Sequence, residues 1–233
     1  MHLYFIRHGQ STNNALTDPS QRVVDPALTA LGQQQSEQIA RYLATGSDLF
    51  PDGSDGFAIT HLYTSPMLRT LQTAQPIAEA LGLQPQVWVD IHEIGGMFLE
   101  VDGDFVGYPG MIRQEVEALF PDYGLPDNLS DKGWWNPDDG MEVETAAQYR
   151  ALKVVDALRR RALNNERIAL VSHGGFIDRA LKALLNQLPN IPRTVFYAHY
   201  NTAITRIDCY HQDSLRLHYL NRVEHLTPDL RSW

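Results

Sequence analysis

Apolar positions along the chain switch between two spacings, and that alternation predicts the fold class. From His2 to Ile6 the residues run apolar and stop at Arg7-His8-Gly9-Gln10, the pattern of a buried strand ending in a polar loop. Leu28, Leu31, Ile39 and Leu43 mark one face of a helix over 28–43, with Thr29 as its cap. A Ser/Asp/Gly/Pro loop from Gly46 to Gly56 leads to a second strand, Ile59 to Thr64, stopped by Ser65-Pro66. A second helix, Met67 to Leu81, ends at Gly82, and a third short strand follows at Pro85 to Val89.

Regularity is then lost from Ile91 to about Gly140, apart from a helix near Arg113 to Leu119. A connection this long predicts a lid or binding insertion, placed at about 94–140, with Trp134-Trp135 read as its core. Beyond it come a helix from Val143 to Leu163, a strand from Arg167 to Ser172 and a helix from Gly174-Gly175 through Leu185. Thr194–Ala198, Ala203–Cys209 and Leu215–Leu220 read as closing strands. Strands alternating with helices predict an α/β fold, a mostly parallel sheet covered on both faces in three α/β/α layers. One domain spanning 1–233, with no internal repeat, accounts for the whole chain.

Composition narrows the function classes. With 43% hydrophobic and 20% charged residues, the 233-residue chain is expected to be globular rather than disordered. No apolar run reaches the ~18 residues of a membrane helix, and Leu3–Ile6 is too short for a signal-peptide core. Cys209 is the sole cysteine, so no internal disulfide can form. Together these predict a cytoplasmic protein. The net charge of −9 argues against nucleic acid or an anionic membrane as partner. Asp90 to Thr145 holds 14 acids against two bases, Arg113 and Lys132, so the charge is concentrated in the insertion.

Two segments share one design, an apolar strand followed by histidine and glycine: Tyr4-Phe5-Ile6-Arg7-His8-Gly9 and Ala169-Leu170-Val171-Ser172-His173-Gly174-Gly175. In an open α/β sheet the carboxyl ends of strands are where ligands bind. Glycine after each histidine would let backbone approach a ligand, and the helix after His173 would offer N–H groups to an anion. A neutral imidazole is a competent nucleophile, and the arginine beside it presents a forked donor suited to phosphate oxygens. The loop with Arg7, His8, Gln10, Ser11, Thr12 and Asn14 is thus suited to a tetrahedral oxyanion. The other histidines form no compact ligand pattern, so neither a metal nor another cofactor is expected.

Arg7-His8-Gly9 after the first strand resembles the signature of the histidine phosphatase superfamily, which includes cofactor-dependent phosphoglycerate mutases and many phosphatases. Tyr63 to Ala74, with Arg69, resembles the family's second block; Ile91-His92-Glu93-Ile94-Gly95 resembles the block carrying the acid, and Ser172-His173-Gly174-Gly175 that of the second histidine. The resemblance implies that His8 becomes a phosphohistidine, that Arg7, Arg69 and His173 surround the phosphoryl group with Gly174 beside them, and that Glu93 protonates the leaving oxygen and later activates water. Asn14 falls where the family often places another phosphate ligand. Gln10 stands where a glutamate is frequent, which removes one negative charge and none of the five core roles.

Three functions remain open on this reading: a hydrolase, a mutase, and a non-catalytic module on the same fold. A mutase needs cations in the insertion, and Arg113 and Lys132 among 14 acids are few. An acidic lid disfavours highly anionic substrates, while Met97, Phe98, Phe105, Tyr108, Met111 and Trp134 are candidates to line a partly apolar pocket. The favoured expectation is a phosphatase for a compact phosphomonoester, with a homodimer through the closing strands as the candidate assembly.

Overall fold

In a computed structural model of the chain, which describes residues 1–48, 56–189, 195–211 and 214–233, β1 (His2–Arg7) lies inside a six-stranded sheet. Alternation along β1 explains why every one of its central residues is apolar. Tyr4 and Ile6 belong to one hydrophobic core and Leu3 and Phe5 to another, so both faces of the strand are covered. The first core packs the sheet against α1 (Ala30–Thr45) and α2 (Leu68–Leu81), through residues such as Ile39, Leu43, Leu71 and Ile77. The second packs it against α4 (Glu144–Arg159) and α5 (Gly174–Leu184), through Val154, Leu158, Phe176 and Ile177.

The remaining strands are β2 (His61–Thr64), β3 (Gln86–Val87), β6 (Arg167–Ser172), β7 (Ile204–His211) and β8 (Ser214–Arg222), in the order β3-β2-β6-β1-β7-β8. The pairings from β3 through β1 are parallel, and β7 and β8 add an antiparallel edge. The mostly parallel three-layer architecture is therefore as the sequence pattern predicts. Thr29 caps α1 by accepting from the Gly32 N–H, and Gly82 ends α2 with φ +64°, a left-handed residue that glycine adopts without strain.

Three departures have physical reasons. The segment expected to be irregular contains a hairpin, β4 (Phe98–Val101) and β5 (Asp104–Gly107), turned at Asp102-Gly103, both with positive φ. The strand expected at Thr194–Ala198 is absent over residues 195–198; Val195 and Phe196 are exposed there, and Thr194 lies outside the described residues, as does most of the Gly46–Gly56 loop. The helix expected to reach Leu163 ends at Arg159, after which the chain turns into β6. Residues between β5 and α4, including α3 (Arg113–Leu119), are not detached: Val116, Phe120, Leu129 and Trp134 are buried in the same core as α1 and α2.

Candidate active site

The parallel register aligns three strand ends. Arg7 pairs with Ser172, and Thr64 with Val171, so β1, β6 and β2 stop at one level and deliver His8, His173 and Ser65 side by side. The His8 N–H donates to the Ser172 carbonyl at 2.9 Å, and the imidazole centroids of His8 and His173 are 5.2 Å apart.

The hydrogen bonds of His8 assign its tautomer. Nδ1 lies 2.6 Å from the carbonyl oxygen of Gly9, which can only accept, so Nδ1 carries the proton. Nε2 accepts from Nε of Arg69 at 3.2 Å and is the nitrogen with the lone pair. Burial, then the guanidiniums of Arg69 and Arg7, hold the imidazole well below its usual basicity, so it stays neutral.

His173 is arranged differently. Its Nε2 is 2.8 Å from the hydroxyl of Ser65, and its Nδ1 has no hydrogen-bond partner among the described residues. Burial first, then Arg69, keep it neutral as well.

A cavity of about 770 Å³ opens over His8 and is lined by Arg7, Asn14, Arg69 and Glu93 among others. Arg7 is fixed through Nη1 to the His199 carbonyl at 2.6 Å, while its buried Nε has no hydrogen-bond partner among the described residues. Arg69 is aimed by Met67 Sδ at 3.1 Å and by Asp25 at 3.8 Å; Asp25 in turn accepts from the Leu68 N–H. Asn14 uses its side-chain oxygen to accept from the N–H and hydroxyl of Ser11, so it caps a turn as well as lining the cavity. His173 and Gly174 are not on the cavity wall.

The expectations for Gly9 and for the helix after His173 need correction. A Cβ on Gly9 would lie 2.5 Å from the Gly32 carbonyl oxygen, so this glycine admits α1, not a ligand. A Cβ on Gly175 would lie 2.5 Å from Oε1 of Glu93. The anion at the N-terminus of α5 is the protein's own carboxylate. Glu93 Oε1 accepts from Ile94 N–H at 2.8 Å and Phe176 N–H at 3.0 Å, and Oε2 from Gly175 N–H at 3.3 Å.

The acidic insertion also acts more narrowly than its composition implies. Of the acids between 90 and 145, only Glu93, Glu100 and Asp102 line the cavity, and Arg113 and Lys132 do not. Arg113 instead donates to the carbonyls of Leu129 and Pro126. Of the six residues expected to form an apolar pocket, Phe98 alone lines it; Met97 and Trp134 are core and Phe105 is half exposed. The wall also includes Arg22, Val23 and Val24, which no periodic pattern distinguishes. Ser65, Asp25 and Asn201, whose Nδ2 donates to the His8 carbonyl at 3.0 Å, are further site residues without a sequence signal of their own. Among the described residues no group of three or more His, Cys, Asp or Glu is placed to hold a metal ion, and no helix is long and apolar enough to cross a membrane.

This geometry has known counterparts. A segment of 95 residues is 40% identical to the PE-PGRS family protein PE_PGRS11 of Mycobacterium tuberculosis, covering 40% of the chain and 15% of that much longer protein. Over 217 residues the chain is 26% identical to a probable phosphoglycerate mutase GpmB of Yersinia enterocolitica, covering 89% of the chain and 85% of the relative. The fold matches that of a mycobacterial glucosyl-3-phosphoglycerate phosphatase solved with VO3, at a TM-score of 0.60 and 22% identity over 95% of this chain and 99% of that one. The family model described as histidine phosphatase superfamily (branch 1) matches residues 3–222, from the first residues of β1 to the end of β8. The chain, with its paired histidine loops at the strand ends, belongs to that superfamily.

Proposed function

We propose that the chain is a metal-independent phosphomonoester hydrolase. The observation that carries this reading is the orientation of His8: Nδ1 is tied to a carbonyl, and Nε2 faces a guanidinium at the cavity. In the first step Nε2 bonds to phosphorus while the ester P–O bond breaks. The leaving oxygen takes a proton from Glu93, which lines the cavity and whose Oε2 accepts one long hydrogen bond, from Gly175, among the described residues. In the second step water attacks phosphorus, gives its proton to Glu93, and the P–N bond breaks to release phosphate and free His8. Arg7 and Arg69 carry the charge on the equatorial oxygens, which is most of what phosphoryl transfer asks of a protein. His173 stands behind the cavity wall and supports the site through its Nε2 contact with the Ser65 hydroxyl.

For the substrate, three guanidiniums (Arg7, Arg22, Arg69) and three carboxylates (Glu93, Glu100, Asp102) share the cavity wall. Two of the cations are committed to the transferring phosphate. What remains favours an alcohol with modest charge beyond its phosphate, and the volume accepts a body larger than a compact one. Arg22 favours the second reading, a mutase holding a phosphoglycerate carboxylate, as do the relatives named as probable phosphoglycerate mutases. A metal-free assay with EDTA, run on p-nitrophenyl phosphate and on 3-phosphoglycerate interconversion, separates the two. The hydrolase reading expects ester hydrolysis without interconversion; interconversion with slow hydrolysis would replace it with the mutase.

A further inference from the structure

Glu93 sits on a loop, His92 to Gly96, that belongs to no helix or strand, so its position depends on what grips the surrounding backbone. The grip comes from α4. Arg150, 7% exposed, donates through Nη1 to the carbonyls of Asp90 and His92, both at 2.9 Å. Its Nε and Nη2 donate to the two oxygens of Glu142 at 2.8 and 2.6 Å, a bidentate pair. Glu142 closes the other side: its N–H donates to the Gly95 carbonyl at 2.9 Å, and its Oε2 accepts from the Gly95 N–H at 3.4 Å. The backbone is thus held before Glu93 and after it by one ion pair. The Arg150 guanidinium also lies 5.2 Å over the ring of Phe176, whose N–H donates to Glu93 Oε1.

We propose that Arg150 and Glu142 are positioning residues for proton transfer: their buried pair sets Glu93 where its carboxyl meets the leaving oxygen. The proposal rests on the reading of Glu93 as proton donor given above. A buried ion pair returns little net stability over an apolar pair of the same volume, but its side chains hold three backbone groups, the Asp90 and His92 carbonyls and the Gly95 N–H, in one arrangement. Lysine keeps the charge and cannot form the fork. A defect in this clamp has a signature that general loosening lacks: it matters in proportion to how much the leaving group needs a proton.

The test compares Arg150→Lys, Glu142→Gln and Glu93→Gln on p-nitrophenyl phosphate, whose phenolate leaves unaided, and on 2-glycerol phosphate, whose alkoxide does not. Glu142→Gln preserves shape and carries the comparison if Arg150→Lys does not fold. The clamp predicts that kcat/KM, which reports transfer to His8 and not the later attack of water, falls about tenfold or more on the alkyl ester and less than about threefold on the aryl ester. It also predicts that Arg150→Lys adds no further discrimination between the esters in a Glu93→Gln background. Equal losses on both esters in the clamp variants, while Glu93→Gln separates them, would overturn the clamp and leave the proton donor standing. Equal losses already in Glu93→Gln would overturn the donor reading and the clamp together.

Discussion

The two histidine loops are nearly alike in sequence and unlike in surroundings. Each follows an apolar parallel strand and precedes glycine, and the register sets them level at the carboxyl ends of β1 and β6. His8 ties Nδ1 to its neighbour's carbonyl and leaves Nε2 to Arg69 and the cavity. His173 gives Nε2 to Ser65 and stands behind the cavity wall, at the start of a helix whose first N–H groups are taken by Glu93. The difference teaches that the role of an imidazole is set by which nitrogen the neighbours leave free. A strand end supplies the position; hydrogen bonds supply the chemistry.

Exchange of roles would break this comparison most severely. His8→Ala should lower turnover by roughly 10⁴-fold or more, and His173→Ala by only about 10²- to 10³-fold, since the first removes the nucleophile and the second a residue that supports the site from behind the cavity wall. Steady-state kcat on p-nitrophenyl phosphate measures both, and equal losses would mean that the two loops act as one unit.

A smaller effect is expected at the seat of the acid. Gly175→Ala places a methyl against Glu93 Oε1 and should displace the carboxylate, lowering kcat/KM on alkyl esters by about 10-fold while sparing that on aryl esters. Gly174→Ala meets only the Arg7 side chain, at 3.5 Å, and should do much less. The same pair of assays reads this contrast, and similar losses from both variants would contradict it.

The weakest handle is pH. His199 and His225 are held near 4, below the ordinary 6.5, chiefly by burial, and His8, His92 and His173 are displaced in the same direction. A histidine whose folded value is depressed resists the proton that the unfolded chain accepts. Its stabilising contribution is therefore complete above about 6.5 and is lost as pH falls toward the folded value, at up to ~1.4 kcal/mol per pH unit for each such group. Urea unfolding should give a constant midpoint from pH 8 to 7 and a falling one from 6.5 to 4. A midpoint flat across that lower range would contradict the neutral, buried histidines.

Much of this was legible in residue order because strands buried on both faces must be apolar throughout and helices must show one apolar stripe. Tyr4-Phe5-Ile6 and Ala169-Leu170-Val171 were unmistakable for that reason. The site residues on strand ends, His8, His173 and Arg7, were legible with them, since a strand's end fixes where the next side chain goes. The β4–β5 hairpin was missed although Asp102-Gly103 is a two-residue turn signal, because its flanking strands are half exposed and carry no clean alternation. Arg22, Val23 and Val24 belong to a wall built by loop geometry, which leaves no period to read. The composition of the insertion misled for a related reason: fourteen acids fix a charge but not which of them face the cavity, and three do.

The central claim is that Nε2 of His8 carries the phosphoryl group, and trapping that intermediate tests it most directly. Turnover of a ³²P-labelled ester, quenched in alkaline denaturant, preserves phosphohistidine for peptide mapping. The account predicts acid-labile, alkali-stable label on Nε2 of His8 and no label in His8→Ala. Label on His173 instead, or continued turnover by His8→Ala with no labelled histidine, would contradict it.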